Sequence, residues 1–173
     1  TGDERGVLLG HACLHAIPSG QRAGYLVLTT LVSSPWLGVV ANRLGVRHEQ
    51  TRTGLKWIAL RARDLQQTHT LAFGYEEALG YCLGPTDRDK DGIAAGLLAV
   101  RLAQQAKARQ QTLSDSLQRI AESSGLFVSH THCIRFPLER AATDGAAAMS
   151  RLRAGGGQVF DGVTVQCIDD HQN

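Results

Sequence analysis

Two adjacent carboxylates stand in the middle of the chain, at the end of a predicted strand. Glu76 and Glu77 follow the apolar segment 70–75, and Gly74 and Gly80 flank them. Ionised carboxylates only accept hydrogen bonds, so such a pair suits the neighbouring hydroxyls of a sugar, and glycines let backbone approach a ligand. A strand followed by a solvated acidic turn is the alternative interpretation, and the residues alone leave both open.

Two of the chain's three lysines lie in loops of a similar kind. Lys56 follows Thr53 and Gly54 at the start of a predicted helix, where free N–H groups and the helix dipole favour anions. Lys90 precedes a helix that Asp91 is expected to cap. The chain has 15 arginines, so an ammonium in these loops is a distinctive choice of cation. Anion contacts are one interpretation, and a simple Thr53 cap with a solvated Lys56 is the other.

Possible metal or nucleophile motifs are incomplete. Asp87, Asp89 and Asp91 imitate a calcium loop, but Leu98 stands where the twelfth position requires a bidentate Glu. A Ser-His pair at 129–130 lacks an orienting third group. Neither histidine group supplies a full tetrahedral set: His11 and His15 with Cys13, and His130 and His132 with Cys133. We therefore expect no metal site and no catalytic residue in this chain.

Composition and charge exclude several classes of protein. With 43% hydrophobic residues, 5% aromatic residues and a net charge of +2, the chain is typical of a globular protein without a nucleic-acid surface. No apolar run approaches the roughly 20 residues of a membrane span, and no signal-peptide pattern is present. The four cysteines are widely spaced, which predicts reduced thiols and a cytoplasmic location: Cys13, Cys82, Cys133 and Cys167.

Strand and helix signals alternate along the first part of the chain. Short β-branched and apolar runs predict strands at 25–32 and 70–75, and a further short strand is predicted at 46–51. Helices are predicted before, between and after these strands. Their expected N-caps are Asp3, Ser34 with Pro35 in the first turn, Thr53, Asp91, and Thr112 in a capping box with Asp115. Gly45 and Gly125 are expected to follow helix C-termini, and the helix capped by Asp91 is expected to run to Ala108. This order predicts a three-layer α/β/α fold with a small, mostly parallel or mixed sheet.

The remainder of the chain has a different pattern. Segment 127–136 predicts an extended strand, 143–153 an Ala-rich helix, and 155–157 a glycine hinge. Residues 159–165 predict a two-residue hairpin. We interpret 137–173 as a C-terminal αβ extension.

Ligands bind beyond the carboxyl ends of parallel strands, so the loops after the three predicted strands are the places to look for a site. Three segments in this region share their order and approximate spacing with one enzyme family: 53–58 (TGLKWI), 73–81 (FGYEEALGY) and 89–93 (DKDGI). The chain thereby resembles the α-D-phosphohexomutase superfamily, the phosphoglucomutases and phosphomannomutases, and specifically their third domain. The resemblance covers 1–136 and makes 137–173 an extension leading toward a missing fourth domain.

Enzymes of this family move a phosphoryl group between the C1 and C6 oxygens of an aldohexose. The resemblance implies that Glu76 binds sugar hydroxyls and that Lys90 contacts the substrate. Where many relatives have Ser, this chain has Ala78, which leaves the choice between glucose and mannose open. In all, the resemblance assigns seven residues to substrate binding: Thr53, Gly54, Lys56, Glu76, Glu77, Ala78 and Lys90.

The sequence lacks the family's phosphoserine loop, its magnesium loop and the phosphate loop of its fourth domain. Without a phosphoryl donor and a metal, phosphoryl transfer loses its main electrostatic support. We therefore expect a sugar-phosphate recognition domain that is inactive alone, with a hexose phosphate and the other domains of a Mg²⁺-dependent parent isomerase as partners. The alternatives are an autonomous module that binds a sugar phosphate or a protein, and an α/β hydrolase-type enzyme that uses Glu77.

Overall fold

A four-stranded mixed sheet lies at the centre of the first of two units, Thr1–Ser129 and His130–Asn173. The structure is a computed structural model that describes residues 1–87, 89–130, 133–154, 159–160, 162–167 and 169. The strands have the order β2-β1-β3-β4, in which β1 pairs in parallel with β2 and β3, and β4 is antiparallel to β3. Their bounds are β1 Tyr25–Thr30, β2 Arg47–Thr51, β3 Thr70–Glu76 and β4 Gly80–Cys82.

Helices cover both faces of this sheet. Three helices pack on one face and a fourth packs against these three, whereas α3, Leu55–Leu65, packs on the other face with its own smaller apolar cluster. The predicted three-layer α/β/α architecture is therefore confirmed. The helices of the first unit are α1 Gly2–Ala16, α2 Trp36–Arg43, α3 Leu55–Leu65, α4 Gly92–Ala108 and α5 Leu113–Ser124, with a 3₁₀ turn at Ser19–Gly24.

Strand β1 shows why the sheet is covered twice. Val27 contributes to the core beneath α1 and α2, whereas Leu26 and Leu28 contribute to the cluster beneath α3. All three side chains are fully buried. Successive side chains of a strand point to opposite faces, so an uninterrupted apolar run requires a helix layer on each side.

Local signals predicted the later helices well. Asp91 caps α4 by accepting a hydrogen bond from the Ala94 N–H at 2.8 Å, and Thr112 and Asp115 form the predicted capping box of α5. Gly125 ends α5, and Gly45 follows α2 with a φ of +74°. These four predictions are confirmed.

Three predicted helix starts are wrong. Thr1, not Asp3, caps α1, because the Asp3 side chain turns inward to other partners. Pro35 occupies the N-cap of α2, so the helix begins one residue later than predicted. Gly54, not Thr53, is the N-cap of α3, with a φ of +114° and no side-chain cap. That left-handed backbone suits glycine, which has no Cβ to clash.

The second unit contains α6, Ala141–Ala154, and a small antiparallel pair, β5 Val159–Phe160 and β6 Val163–Thr164. The predicted helix and hairpin are confirmed. The strand predicted over 127–136 is wrong for the described residues, which have no strand assignment there. Val128 and Ile134 are 83% and 54% exposed, whereas Phe127 and Phe136 are half-buried, so the described residues form no continuous buried face that would support a strand. The predicted hinge at 155–157 lies outside the described residues.

No helix among the described residues has the length and apolar character needed to cross a membrane.

Candidate functional site

The carboxyl ends of β1, β2 and β3 share one edge of the sheet, and Glu76 is the last residue of β3. The Glu76 side chain is 5% exposed, and its Oε1 lies 2.6 Å from Nζ of Lys90, whose side chain is 54% exposed. The hydrogen bond to Glu76, together with the attraction of its charge, raises the pKa of the Lys90 ammonium. A buried carboxylate thus meets a cation that also faces solvent.

Strand β4 fixes the position of Glu76. Gly80 pairs with Glu76 across the β3–β4 turn. A Cβ on Gly80 would overlap Cδ2 of Leu55 and lie 2.6 Å from Oε1 of Glu76. The glycine therefore lets the start of α3 and the carboxylate approach from two sides of the same backbone segment.

Lys90 is positioned by the residues around it. The Asp91 N–H donates to the Tyr81 carbonyl at 2.8 Å, which ties the loop before α4 to β4. The Lys90 N–H donates to Oδ1 of Asp89 at 2.8 Å, and the Cys82 thiol donates to the Asp89 carbonyl at 3.5 Å. Burial raises the pKa of this thiol to about 12, so Cys82 stays protonated as a structural donor.

The three aspartates that imitate a calcium loop have other partners. Asp87 accepts from the Leu83 N–H at 2.6 Å, Asp89 from Lys90, and Asp91 from Ala94. In the part of the chain that the structure describes, no group of three His, Cys, Asp or Glu residues is placed to hold a metal ion. The local hydrogen bonds account for these acidic side chains without a cation.

Glu77 lies at the same edge, where it contacts the loop that follows β1. Its Oε2 accepts hydrogen bonds from Oγ1 of Thr30 at 3.2 Å and Oγ of Ser33 at 3.3 Å. The Glu77 N–H also donates to Oγ of Ser33 at 3.2 Å. The sequence predicted that the loop after β1 borders the site, but it did not identify Thr30 and Ser33 as partners of Glu77. The run of hydroxyl residues at the end of β1 was the signal that could have indicated them.

A buried group of polar side chains supports this edge from below. Asp3 Oδ1 accepts from the Ser34 N–H at 2.8 Å and from the Tyr75 hydroxyl at 2.9 Å. Burial and the neighbouring Asp3 charge raise the pKa of Tyr75 well above its usual range. Asp3 thereby connects the N-terminal turn of α1 to the loop after β1 and to the end of β3, next to Glu76 and Glu77.

The remaining predicted site residues have no described hydrogen bond or ion pair with Glu76 or Lys90. Thr53 and Ala78 are exposed, and Gly54 is half-buried at the start of α3. Lys56 is exposed, with its Nζ 5.5 Å from the centroid of the Trp57 ring. Among the described residues, no hydrogen bond or ion pair joins Lys56 to Glu76. The structure therefore brings Glu76 and Lys90 into contact, with Glu77 at the same edge. Lys56 has no described contact with this pair.

The layered fold agrees with comparisons to known proteins. Residues 1–124 match the family described as "Phosphoglucomutase/phosphomannomutase, alpha/beta/alpha domain III". The chain belongs to this family. It is 30% identical over 132 residues to a probable phosphoribomutase of Schizosaccharomyces pombe, covering 75% of the chain and 22% of the relative. It is 37% identical over 107 residues to a probable phosphomannomutase of Haemophilus influenzae, covering 61% and 21%.

A solved structure of a putative phosphomannomutase from Thermus thermophilus has the same fold. Its TM-score is 0.54 at 24% identity, and the match covers 70% of this chain and 26% of that one. The chain spans about a fifth of the length of the curated relatives it matches, 22% and 21% for the two named above. The family and the domain are thereby established for the matched part.

Proposed function

We propose that this chain is the sugar-phosphate recognition domain of a phosphohexomutase. The contact between the buried Glu76 carboxylate and the solvent-facing Lys90 ammonium carries the proposal. An ammonium has three donors, and only one is engaged with Glu76 Oε1, so Lys90 can also donate to a phosphate or hydroxyl oxygen. The Oε2 of Glu76 has no hydrogen-bond partner among the described residues and can accept from a sugar hydroxyl. One ion pair thus offers a donor for phosphate oxygens and an acceptor for sugar hydroxyls.

The surrounding residues complete one wall of the site. Glu77 supplies a second carboxylate, oriented by the hydroxyls of Thr30 and Ser33. Thr53 and Gly54 follow β2 and line the same edge, while Lys56 and Ala78 contact the ligand from its margin. No histidine among the described residues hydrogen-bonds to Glu77, so the hydrolase interpretation lacks the base it would require.

We propose that the parent enzyme is a cytoplasmic isomerase that transfers a phosphoryl group between C1 and C6 of the sugar. The carboxylates of Asp87, Asp89 and Asp91 are committed to backbone N–H groups, and we assign none of them to Mg²⁺. Any Mg²⁺ would be held by other domains of the parent. Residues 1–136 form the recognition domain in this proposal, and 137–173 lead toward the next domain.

The ligand is proposed to be a hexose phosphate. Relatives that match this chain include a phosphomannomutase and also phosphopentomutases of Homo sapiens and Mus musculus. Glucose 1-phosphate and ribose 1-phosphate therefore form a useful pair of ligands. We expect the hexose phosphate to bind more tightly, and tighter binding of the pentose phosphate would overturn the assignment of sugar size.

Titration of the ¹⁵N-labelled chain with glucose 1,6-bisphosphate tests the site directly. We expect millimolar affinity and shift changes that centre on Glu76 and Lys90. Glu76→Gln should weaken binding about tenfold, because the amide forms no ion pair with Lys90. Glu49→Gln is the matched control, since it also removes an ion-paired carboxylate, the partner of Arg61 at 2.7 Å, but not one at this edge.

Three results would contradict parts of this proposal. Shift changes that avoid Glu76 and Lys90 would exclude the site. Micromolar affinity would favour an autonomous binding module. Isomerisation of glucose 1-phosphate by the isolated chain with Mg²⁺, abolished in Glu76→Ala, would overturn its assignment as a recognition domain that is inactive alone.

A further inference from the structure

A second concave surface lies among α1, α4 and α5, away from the sheet edge that carries Glu76. It encloses a cavity of about 520 Å³, which is within the range of small-molecule sites. Three arginines and two histidines line it, and no acidic side chain does: Arg101, Arg109 and Arg119, with His11 and His15. We call this surface the arginine cavity.

The arginine cavity is remote from Glu76 and Lys90. Helix α4 begins at Gly92, beside Lys90, and runs 17 residues to Ala108. At 1.5 Å per residue its two ends are about 25 Å apart, and the cavity lies toward the far end, at Arg101 and Arg109. Its residues are therefore separate from the proposed sugar site.

The charges in the arginine cavity lack acidic partners. In the described part of the chain, none of its three arginines forms an ion pair. Arg119 is held by neutral groups, donating to Oε1 of Gln111 at 2.7 Å and to Oγ of Ser116 at 3.2 Å. Asp115 is near Arg119, but its carboxylate is engaged in the cap of α5 with Thr112. Guanidinium groups that line one cavity without acidic partners can together bind phosphate oxygens.

The rest of the lining is largely apolar. Leu98, Leu102 and Leu113 line the cavity beneath the charged rim, with Leu8 and Ile120. A bare inorganic ion would leave this surface unused, whereas a ligand with an apolar or planar body would cover it. We propose that the arginine cavity binds an organic phosphate, whose phosphoryl oxygens contact Arg101, Arg109 and Arg119 and whose body lies on the leucines.

The two histidines provide an internal probe of this binding. The rings of His11 and His15 are 4.2 Å apart, and burial lowers the pKa of His11 to about 4 and that of His15 below its usual value. The charged groups near them are the three cavity arginines and Arg22, which are all positive. A bound phosphate would favour the protonated imidazoles, so the pKa values of both histidines should rise on binding.

Phenyl phosphate is a suitable probe because it joins one phosphate to one apolar ring. Titration of the full 173-residue chain, followed by the imidazole resonances of His11 and His15, should show saturable binding and a rise in both pKa values. Replacing all three cavity arginines by Gln should weaken binding at least about tenfold. The matched control replaces Arg43, Arg52 and Arg63 by Gln, which removes the same charge from first-unit positions that do not line the cavity and should leave affinity unchanged.

The wild-type histidine titration needs no variant, so it remains decisive if the triple variant fails to fold. Absence of saturable shifts at His11 and His15 would overturn the proposal. Equal weakening in both triple variants would also overturn it, because the effect would then reflect net charge alone. Inorganic phosphate binding as tightly as phenyl phosphate would exclude an organic ligand.

Discussion

Glu76 is an almost fully buried carboxylate whose charge is balanced by one lysine that reaches solvent. Burying a carboxylate without a partner is costly, so the ammonium of Lys90 stabilises the ionised form. The same ammonium has unused donors on its exposed side. A ligand phosphate can therefore bind Lys90 while Glu76 keeps its position, which is fixed by β4 and Leu55.

The pKa of Lys90 should report on this pair. Glu76 holds it above its ordinary value of 10.5, so Glu76→Gln should lower it toward that value. Because the folded-state pKa is raised, the pair stabilises the fold fully below the unfolded-state pKa, and this contribution is lost as the pH rises through the folded-state pKa. Titration of the Lys90 side-chain ¹⁵N resonance measures the shift, with Lys107 as internal control. An unchanged Lys90 pKa would show that the ion pair does not form in solution.

Gly80 should be sensitive to substitution, because it packs directly against Glu76. A Cβ there meets Leu55 and Glu76, whereas a Cβ on Gly84 meets nothing within 4 Å. Gly80→Ala should lower the free energy of unfolding by about 1–3 kcal/mol through overpacking and should weaken sugar-phosphate binding. Chemical denaturation compares it with Gly84→Ala, which should be nearly neutral. Equal effects of the two substitutions would contradict the packing described for β4.

At the scale of elements, the parts predicted correctly are those with local causes. The caps of α4 and α5 depend on side chains within three residues of their backbone partners, so Asp91 and Thr112 could be identified from sequence spacing. The strands β1 and β3 were predictable because apolar runs of that length fit a sheet buried on both faces. Their carboxyl-end loops then indicated the edge where the site lies.

The parts that could not be predicted depend on distant partners. Strand β4 is only three residues long and exists through its pairing with β3. Asp3 resembles a helix cap in sequence, but in the fold it accepts from Tyr75, 72 positions away. The approach of Thr30 and Ser33 to Glu77 likewise spans 47 and 44 positions. No rule of sequence spacing predicts contacts between residues so far apart in the chain.

Removal of the α4 cap should lower both the stability of the fold and the affinity for a sugar phosphate. Asp91→Ala removes the hydrogen bond from Ala94 and should cost about 1 kcal/mol, and it should also weaken sugar-phosphate binding because Lys90 is the adjacent residue. Thr112→Ala removes the comparable cap of α5 and should cost a similar amount without affecting that binding. Denaturation and ligand titration of both variants separate the two effects. Equal loss of affinity in both would show that Lys90 does not depend on its cap.

At the scale of the whole molecule, the first unit contains the apolar cores on both faces of the sheet, which belong to residues between Val7 and Ile120. We therefore expect residues 1–129 to fold when produced alone. Circular dichroism and thermal denaturation should show a cooperative transition like that of the full chain. A truncated chain without cooperative unfolding would contradict the assignment of an independent core to this unit.

The function proposed for this chain is recognition of the sugar phosphate and not the transfer of the phosphoryl group. The chain belongs to domain III of its family and covers 22% and 21% of the two relatives named above, and in the proposed function it forms one wall of the sugar-phosphate site. Recognition and transfer are therefore assigned to different parts of the parent enzyme. The central claim is that Lys90, held by Glu76, binds the sugar phosphate.

The dissociation constant of glucose 1,6-bisphosphate for Lys90→Met, compared with that for Lys107→Met, tests this claim most directly. Both substitutions remove one ammonium from an exposed position at or near α4, but only Lys90 contacts Glu76. We predict that Lys90→Met weakens binding at least about tenfold and that Lys107→Met changes it less than about twofold. Equal dissociation constants for the two variants would contradict the proposed site.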